Sequence, residues 1–335
     1  MAMFSEAISR QRWLPYKTRR SIIKRLHPTM LRDFSFETEF FGRGSHMRFR
    51  GNIVNYIDRL IYFCGAHEKY MLCLLRDYLS SPLRGEQMSA SRRRSANRGG
   101  DTPHGSRGVQ EHLHSPALPQ GESNITFLDI GANAGNHSLF MAKLVAHVHA
   151  FEPYPRVREQ LEDNLALNQI TNITVHPFGL GNENAVIPFY AAPDSNLGAA
   201  SFRQEHKDDN YYLGDMQIRC GDEVVAECGI KADIIKADVE GYEKFVLEGL
   251  QKTLRRDRPL LIIELSTTTR DTIGSAAAFA ALFPERYRFY YFSSGNFNTG
   301  RYRLKPFEYA MMPKIQDVIA CPEEKLIHLN IFGKK

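Results

Sequence analysis

Five acids and one lysine stand where their side chains could work on a common ligand: Asp129, Glu152, Asp238, Glu240, Glu264 and Lys236. Asp129 lies near the end of an apolar run, 125–130, and a glycine-rich turn, Gly131-Ala-Asn-Ala-Gly135, follows it. Glu152 closes a second run about 20 residues after that turn, where a doubly wound fold puts the carboxylate that holds ribose hydroxyls. Lys236, Asp238 and Glu240 alternate along a third run, so they share one face. Glu264 ends a fourth, Leu260-Leu-Ile-Ile-Glu264. Ligands of open α/β sheets sit outside the carboxyl ends of strands, and all six residues fall at such ends. Such a rim can supply a general base for a hydroxyl nucleophile. Asp238 is the expected base or acceptor-positioning group, with Glu240 and Lys236 next.

The spacing of the turn narrows the ligand. It reads G-x-x-x-G, whereas a dinucleotide fingerprint reads G-x-G-x-x-G. A pyrophosphate wants helix N–H donors at close range. S-adenosylmethionine carries no phosphate; it presents an ammonium, a carboxylate, a sulfonium and a ribose. An acid before the turn suits the two cationic groups, and Glu152 suits the ribose. The expected cofactor is therefore S-adenosylmethionine. Gly179, after the next strand, is placed near adenine by location alone, and His137 could border the methionine end. Asp238 and Glu264 could face one divalent ion. Two carboxylates are too few for a hard cation, and no His/Cys cluster adds to them, so no metal is assigned.

These residues need a scaffold. Strands are expected at 125–130, 147–152, 172–177, 232–238, 259–264, 286–292 and 316–321, and helices at 136–146, 155–168, 242–250 and 275–283. That alternation predicts an α/β fold with a mostly parallel sheet and helices on both faces. Residues 34–64 are expected to contribute a hairpin and Met71 to Leu79 a helix. Residues 182–220 and 292–313 read as inserts. Tyr211, Tyr212, Phe297 and Tyr302 in them could stack on a sugar or pack as core.

With these motifs in place, the chain resembles the FkbM-type S-adenosylmethionine-dependent methyltransferases. The resemblance rests on Asp129-Ile-Gly-Ala-Asn-Ala-Gly135, Phe151-Glu-Pro153, Asn164, Asn168 and Lys236-Ala-Asp-Val-Glu-Gly-Tyr-Glu243. Asp194 to Ser201, Val318 to Pro322, Ile57-Asp58 and Gly65-Ala-His-Glu68 also resemble family segments. It implies a class I methyltransferase (Rossmann-like), doubly wound, seven-stranded sheet with an N-terminal helical/hairpin extension, and O-methylation of a sugar, glycan or similar hydroxylated small acceptor. It implies donor-binding roles for Asp129, Gly131, Asn133, Gly135 and Glu152. The chain departs from the family in the long link before the first strand.

The implied organisation is a basic segment and lead-in hairpin and helix at 1–80, a disordered insert at 81–123, the catalytic domain at 124–325 and a tail at 326–335. The insert holds Arg92-Arg-Arg94 among Ser, Pro and Gly, with little apolar surface to bury. The net charge of the 335 residues is +5, and 43% of them are hydrophobic, enough for a sizeable core. No apolar run reaches the roughly 18 residues a membrane helix requires, and no secretory signal is visible. Five scattered cysteines fit a reducing cytoplasm. Seven Lys and Arg between Arg10 and Arg25 read as a solvated tail or as peripheral contact with an anionic membrane surface; nucleic acid is the weaker partner. Two alternatives stand beside the transferase: a binding module tied to RNA or a membrane, and a nucleotide-dependent oxidoreductase. The glycine spacing disfavours the latter.

Overall fold

The computed structural model describes residues 35–41, 47–81, 124–191, 211–311 and 316–329, with the isolated positions 18 and 21. The basic N-terminal segment, the arginine-bearing stretch before residue 124, and the family-like segment Asp194 to Ser201 lie outside the described residues.

Eight strands form the main sheet: β3 (Thr126–Ile130), β4 (His147–Phe151), β5 (Ile173–His176), β9 (Ile234–Ala237), β10 (Leu260–Leu265), β11 (Tyr287–Gly295), β12 (Tyr302–Pro306) and β13 (Gln316–Pro322). Their order is β12-β11-β13-β10-β9-β3-β4-β5. From β5 to β10 every pair is parallel, and β13 runs antiparallel between β10 and β11. This is the expected α/β fold with a mostly parallel sheet. The order reverses between β3 and β9, which opens a crevice beyond their carboxyl ends. Alternation within the strands sorts the core onto two faces. Phe127, Val148 and Ile262 pack with Phe63 and Leu72 on one side; Leu128, Ile235 and Ile263 pack with Val246 and Phe279 on the other.

All seven expected strands form. The eighth, β12, lies in a stretch read as an insert. Its Tyr302 and Leu304 are buried while Arg303 between them is exposed, and the Tyr302 hydroxyl donates to Asp77 at 3.2 Å. Asp77 belongs to the helix Lys69–Leu79, so the face that β12 buries comes from more than 200 residues away. Tyr302 is thus core, not a stacking platform. A second sheet, ordered β6-β8-β7, occupies the other expected insert: β6 (Gly179–Gly181), β7 (Ala185–Ala191) and β8 (Tyr211–Cys220).

The lead-in segment begins with the hairpin β1 (Ser35–Glu39) and β2 (Arg48–Asn52), as expected. Tyr56–Cys64 then forms a helix, capped by the Asn55 side chain and ended by Gly65 at φ 88°. Two amides of the helix Pro155–Leu167 and its C-cap hold this segment. Asn164 accepts from the Arg50 amide at 2.7 Å and donates to its carbonyl at 3.2 Å. Asn168 does the same for Arg48, at 2.7 Å both ways. The side chains substitute for a neighbouring strand, so the edge of β2 keeps its backbone groups satisfied.

Candidate active site

The glycine turn is shaped by its neighbours. Gly131 has φ 81°, and a Cβ there would lie 1.9 Å from the Asp238 carbonyl oxygen. Only glycine lets the ends of β3 and β9 approach this closely. Gly135 has φ 95°, and a Cβ there would press on Leu161 at 2.5 Å; its space is taken by helix packing. Asn133, at φ 51°, donates its amide to Glu152 Oε2 at 3.0 Å. Tyr154 donates to the other oxygen of Glu152 at 2.9 Å. Burial pushes the Glu152 carboxyl up to about 7, although these two N–H groups pull it down. Asp129 is fully buried; Ser138 Oγ donates to its Oδ2 at 2.6 Å, and its Oδ1 has no hydrogen-bond partner.

Two chambers meet over this turn. One, of about 540 Å³ including its open mouth, is walled by Phe151, Val157, Leu180 and Phe189, with Glu152 and Gly179 in its lining. The other, of about 1230 Å³ including its open mouth, is lined by His67, Glu68, His137, Lys236 and Glu264, with Tyr56 and Phe297 among its aromatic residues. Gly131, Asn133, Asp238 and Glu240 border both. Asp129 and Gly135 line neither. Tyr212 stands away from both, its hydroxyl bonded to Asp215, and the side chain of Tyr211 is outside the described residues.

At the shared floor, Lys236 Nζ donates to Asp238 Oδ2 at 2.8 Å. Burial alone would depress the Lys236 pKa, but Asp238, Asp129 and Glu68 outweigh it and hold the ammonium charged. Burial works against the Asp238 carboxylate too. Lys236 and a hydrogen bond with Glu264 bring its pKa below the usual value. Glu264 moves well above the ordinary range, first because Asp238 is beside it and then because it is buried. Asp238 is the ionised member of this carboxyl pair, and Glu264 keeps its proton longer. One oxygen each of Asp238, Glu240 and Glu264 lie within 4.8 Å of one another. Glu240 thus stands with Asp238 and Glu264, the two acids for which the sequence assigned no metal.

Glu243, aligned with this motif in sequence, does different work. Its oxygens accept from the amides of Val239 and Gly241 at 3.0 and 3.1 Å and from the Thr269 hydroxyl. It ties the loop after β9 into shape. The sequence did not single out Glu68 and His67 as site residues. They come from the lead-in segment, which Asn136 pins by accepting from the His67 amide at 2.9 Å and donating to its carbonyl at 3.0 Å. The Gly65-Ala-His-Glu68 likeness marked the segment without a role.

Residues 129–291 match the family model described as the methyltransferase FkbM domain. The chain is 30% identical over 141 residues to hexuronic acid methyltransferase AglP of Haloferax volcanii, a match covering 41% of this chain and 55% of that protein. It is 28% identical over 142 residues to Methyltransferase 1 of Beauveria bassiana, covering 37% and 57%. The chain thus spans about half the length of the curated relatives it matches. The crystal structure of methyltransferase FkbM from Methylobacillus flagellatus superposes with a TM-score of 0.38 at 18% identity, over 59% of this chain and 43% of that one.

Proposed function

We propose that the chain, whose residues 129–291 match the methyltransferase FkbM domain model, transfers a methyl group from S-adenosylmethionine to a hydroxyl of a sugar, glycan or similar small acceptor. The observation that carries this reading is Asp238, held by Lys236 and beside Glu264, at the border of two chambers, one walled by Phe151, Val157, Leu180 and Phe189, the other lined by histidines, acids and Lys236. A nucleoside donor with a charged arm fits that pair of chambers. Glu152 and Gly179 would hold its nucleoside part, and Gly131 and Asn133 would border its sulfur. Asp129, with one buried oxygen unpartnered, and Gly135 would support the turn from behind. Bound there, the donor supplies an activated methyl group.

The chain's own residues manage the acceptor. Asp238 is ionised and faces the open chamber, so it can orient a hydroxyl and take its proton. A hydroxyl oxygen gaining a methyl group becomes positive and its proton strongly acidic; a carboxylate of low basicity suffices. Lys236 fixes one oxygen of Asp238, and Glu240 lines the approach. Holding the reactants in line supplies much of the acceleration. The sugar acceptor is favoured by the hexuronic acid methyltransferase relative and by Tyr56 and Phe297, half-exposed rings at the cleft. Five free cysteines fit a cytoplasmic setting. Among the described residues no helix is long and apolar enough to cross a membrane; contact of the basic N-terminus with a membrane surface remains part of the proposal.

The test is transfer of labelled methyl from S-adenosylmethionine into fractionated glycan, lipid, protein and RNA pools, with Asp238→Asn as control. Label in the glycan pool that vanishes with the variant supports the reading. Label confined to RNA or protein would overturn the acceptor class.

A further inference from the structure

Two buried polar atoms in the open chamber face each other without a hydrogen bond. Glu68 Oε2 and His137 Nε2 lie 3.4 Å apart, each without a hydrogen-bond partner, on residues 8% and 5% exposed. Buried polar atoms are rarely left so. Glu68 is also held in the left-handed region, at φ 46°. Asn133 at 51° and Glu240 at 50° are the other non-glycine residues of this lining in that region. Strain of this kind persists where the surroundings over-determine it, and it gathers at ligand sites. Burial would neutralise Glu68, but His67, His137 and Lys236 outweigh it and bring its pKa to about 2. The result is a buried carboxylate beside an imidazole, both bordering a cleft.

We infer that Glu68 and His137 form the seat of the donor's amino-acid end, Glu68 receiving its ammonium and His137 its carboxylate. This rests on the donor proposed above. The nucleoside chamber and the open chamber share the turn Gly131 to Asn133, so an arm leaving the first crosses that turn into the second. Beyond the turn the lining continues through Ala134 and Asn136 to His137, with Glu68 opposite. An anion and a hydrogen-bond donor 3.4 Å apart match a zwitterion whose two charged groups hang from one carbon. Glu68 comes from the lead-in segment, so that segment completes the donor site.

The experiment is calorimetry with two ligands, S-adenosylhomocysteine and 5′-methylthioadenosine, which lacks the amino-acid end. Wild type should bind the first more tightly. Glu68→Gln should lose affinity for it on the order of 10- to 100-fold and bind methylthioadenosine as wild type does. His137→Gln, which leaves Glu68 in place, should show the same selective loss. If Glu68→Gln binds S-adenosylhomocysteine unchanged, or loses both ligands equally with a lowered melting temperature, the two residues only brace one another and the inference falls. If wild type binds neither ligand, the donor reading itself falls.

Discussion

Glu243 and Glu68 are both buried glutamates at helix starts beside the same crevice, and they are opposites. Glu243 spends its oxygens on two amides and a hydroxyl, so it closes the loop that presents Asp238. Glu68 has a buried oxygen with no hydrogen bond at all, 3.4 Å from an imidazole in the same condition. A carboxylate whose lone pairs are filled by its own backbone is committed to shape. One that keeps an oxygen without a hydrogen bond, near the imidazoles of His137 and His67, is open to something that arrives later. Sequence treats the two alike, because both are a glutamate before an apolar helix. Only hydrogen-bond bookkeeping separates them.

The largest effect that could break this comparison is on stability. Glu243→Ala strands the amides of Val239 and Gly241 and should cost about 3 kcal/mol or more, since each buried donor left unpaired costs about 1–3 kcal/mol. Glu68→Gln strands no backbone donor and should cost less. Equal losses in a denaturant titration would erase the distinction. Next comes chemistry at the loop that Glu243 shapes. Asp238→Asn should bind S-adenosylhomocysteine normally and lose turnover by about 10²–10⁴-fold; a matched loss of affinity would make Asp238 a donor ligand. A smaller effect is expected at the clamp that seats Glu68. Asn164→Ala removes the side chain pairing with both backbone groups of Arg50 and should cost about 1–3 kcal/mol. It should also weaken S-adenosylhomocysteine more than methylthioadenosine, and a uniform loss would sever the clamp from the arm site.

The smallest effect concerns a region away from both glutamates. His149 Nδ1 and His176 Nε2 are 3.0 Å apart on β4 and β5, and His176 stacks on Phe151 at 4.4 Å. Burial lowers both imidazoles to about 4. Their folded values lie below the unfolded value near 6.5, so the unfolded chain binds more protons. Stability from this pair is full above about 6.5 and declines as pH falls toward 4. Melting temperature should therefore fall over that window more in wild type than in His149→Gln; parallel curves would discard the pair as the cause.

The parallel sheet was legible because its strands are apolar runs closed by acids and glycines, and period and punctuation are local. The carboxyl-end cluster was legible only in part: the strand stops at Ala237, so Asp238 and Glu240 meet Glu264 from the loop beyond it, with Glu240 at φ 50°, and not by strand alternation. What escaped was non-local. β12 needs the helix Lys69–Leu79 to bury Tyr302, and β7 carries Pro188, a residue that interior strands seldom hold. β8, paired antiparallel with β7 and parallel with β6, was hidden among polar residues. Glu68 had no motif of its own, since its role depends on Asn136 gripping the backbone of His67 across 69 positions. Asn164 and Asn168 were noticed for their likeness to the family, and geometry shows them to be strand mimics.

The lead-in segment is fastened by contacts of long sequence separation: Arg50 to Asn164 spans 114 positions and Lys69 to Asn298 spans 229. Closing loops of that length is slow, because chain entropy is lost before the contacts that reward it form. Within the parallel part of the sheet, β3 pairs with β4 at a separation of 21 positions and with β9 at 107, well short of the longest lead-in contact. The order of assembly is therefore expected to be sheet first and Glu68 last. A chain caught between the two steps would lack the seat inferred for Glu68, so S-adenosylhomocysteine, which on that proposal fills the finished site, should also act on refolding, prolonging the docked state once it has formed.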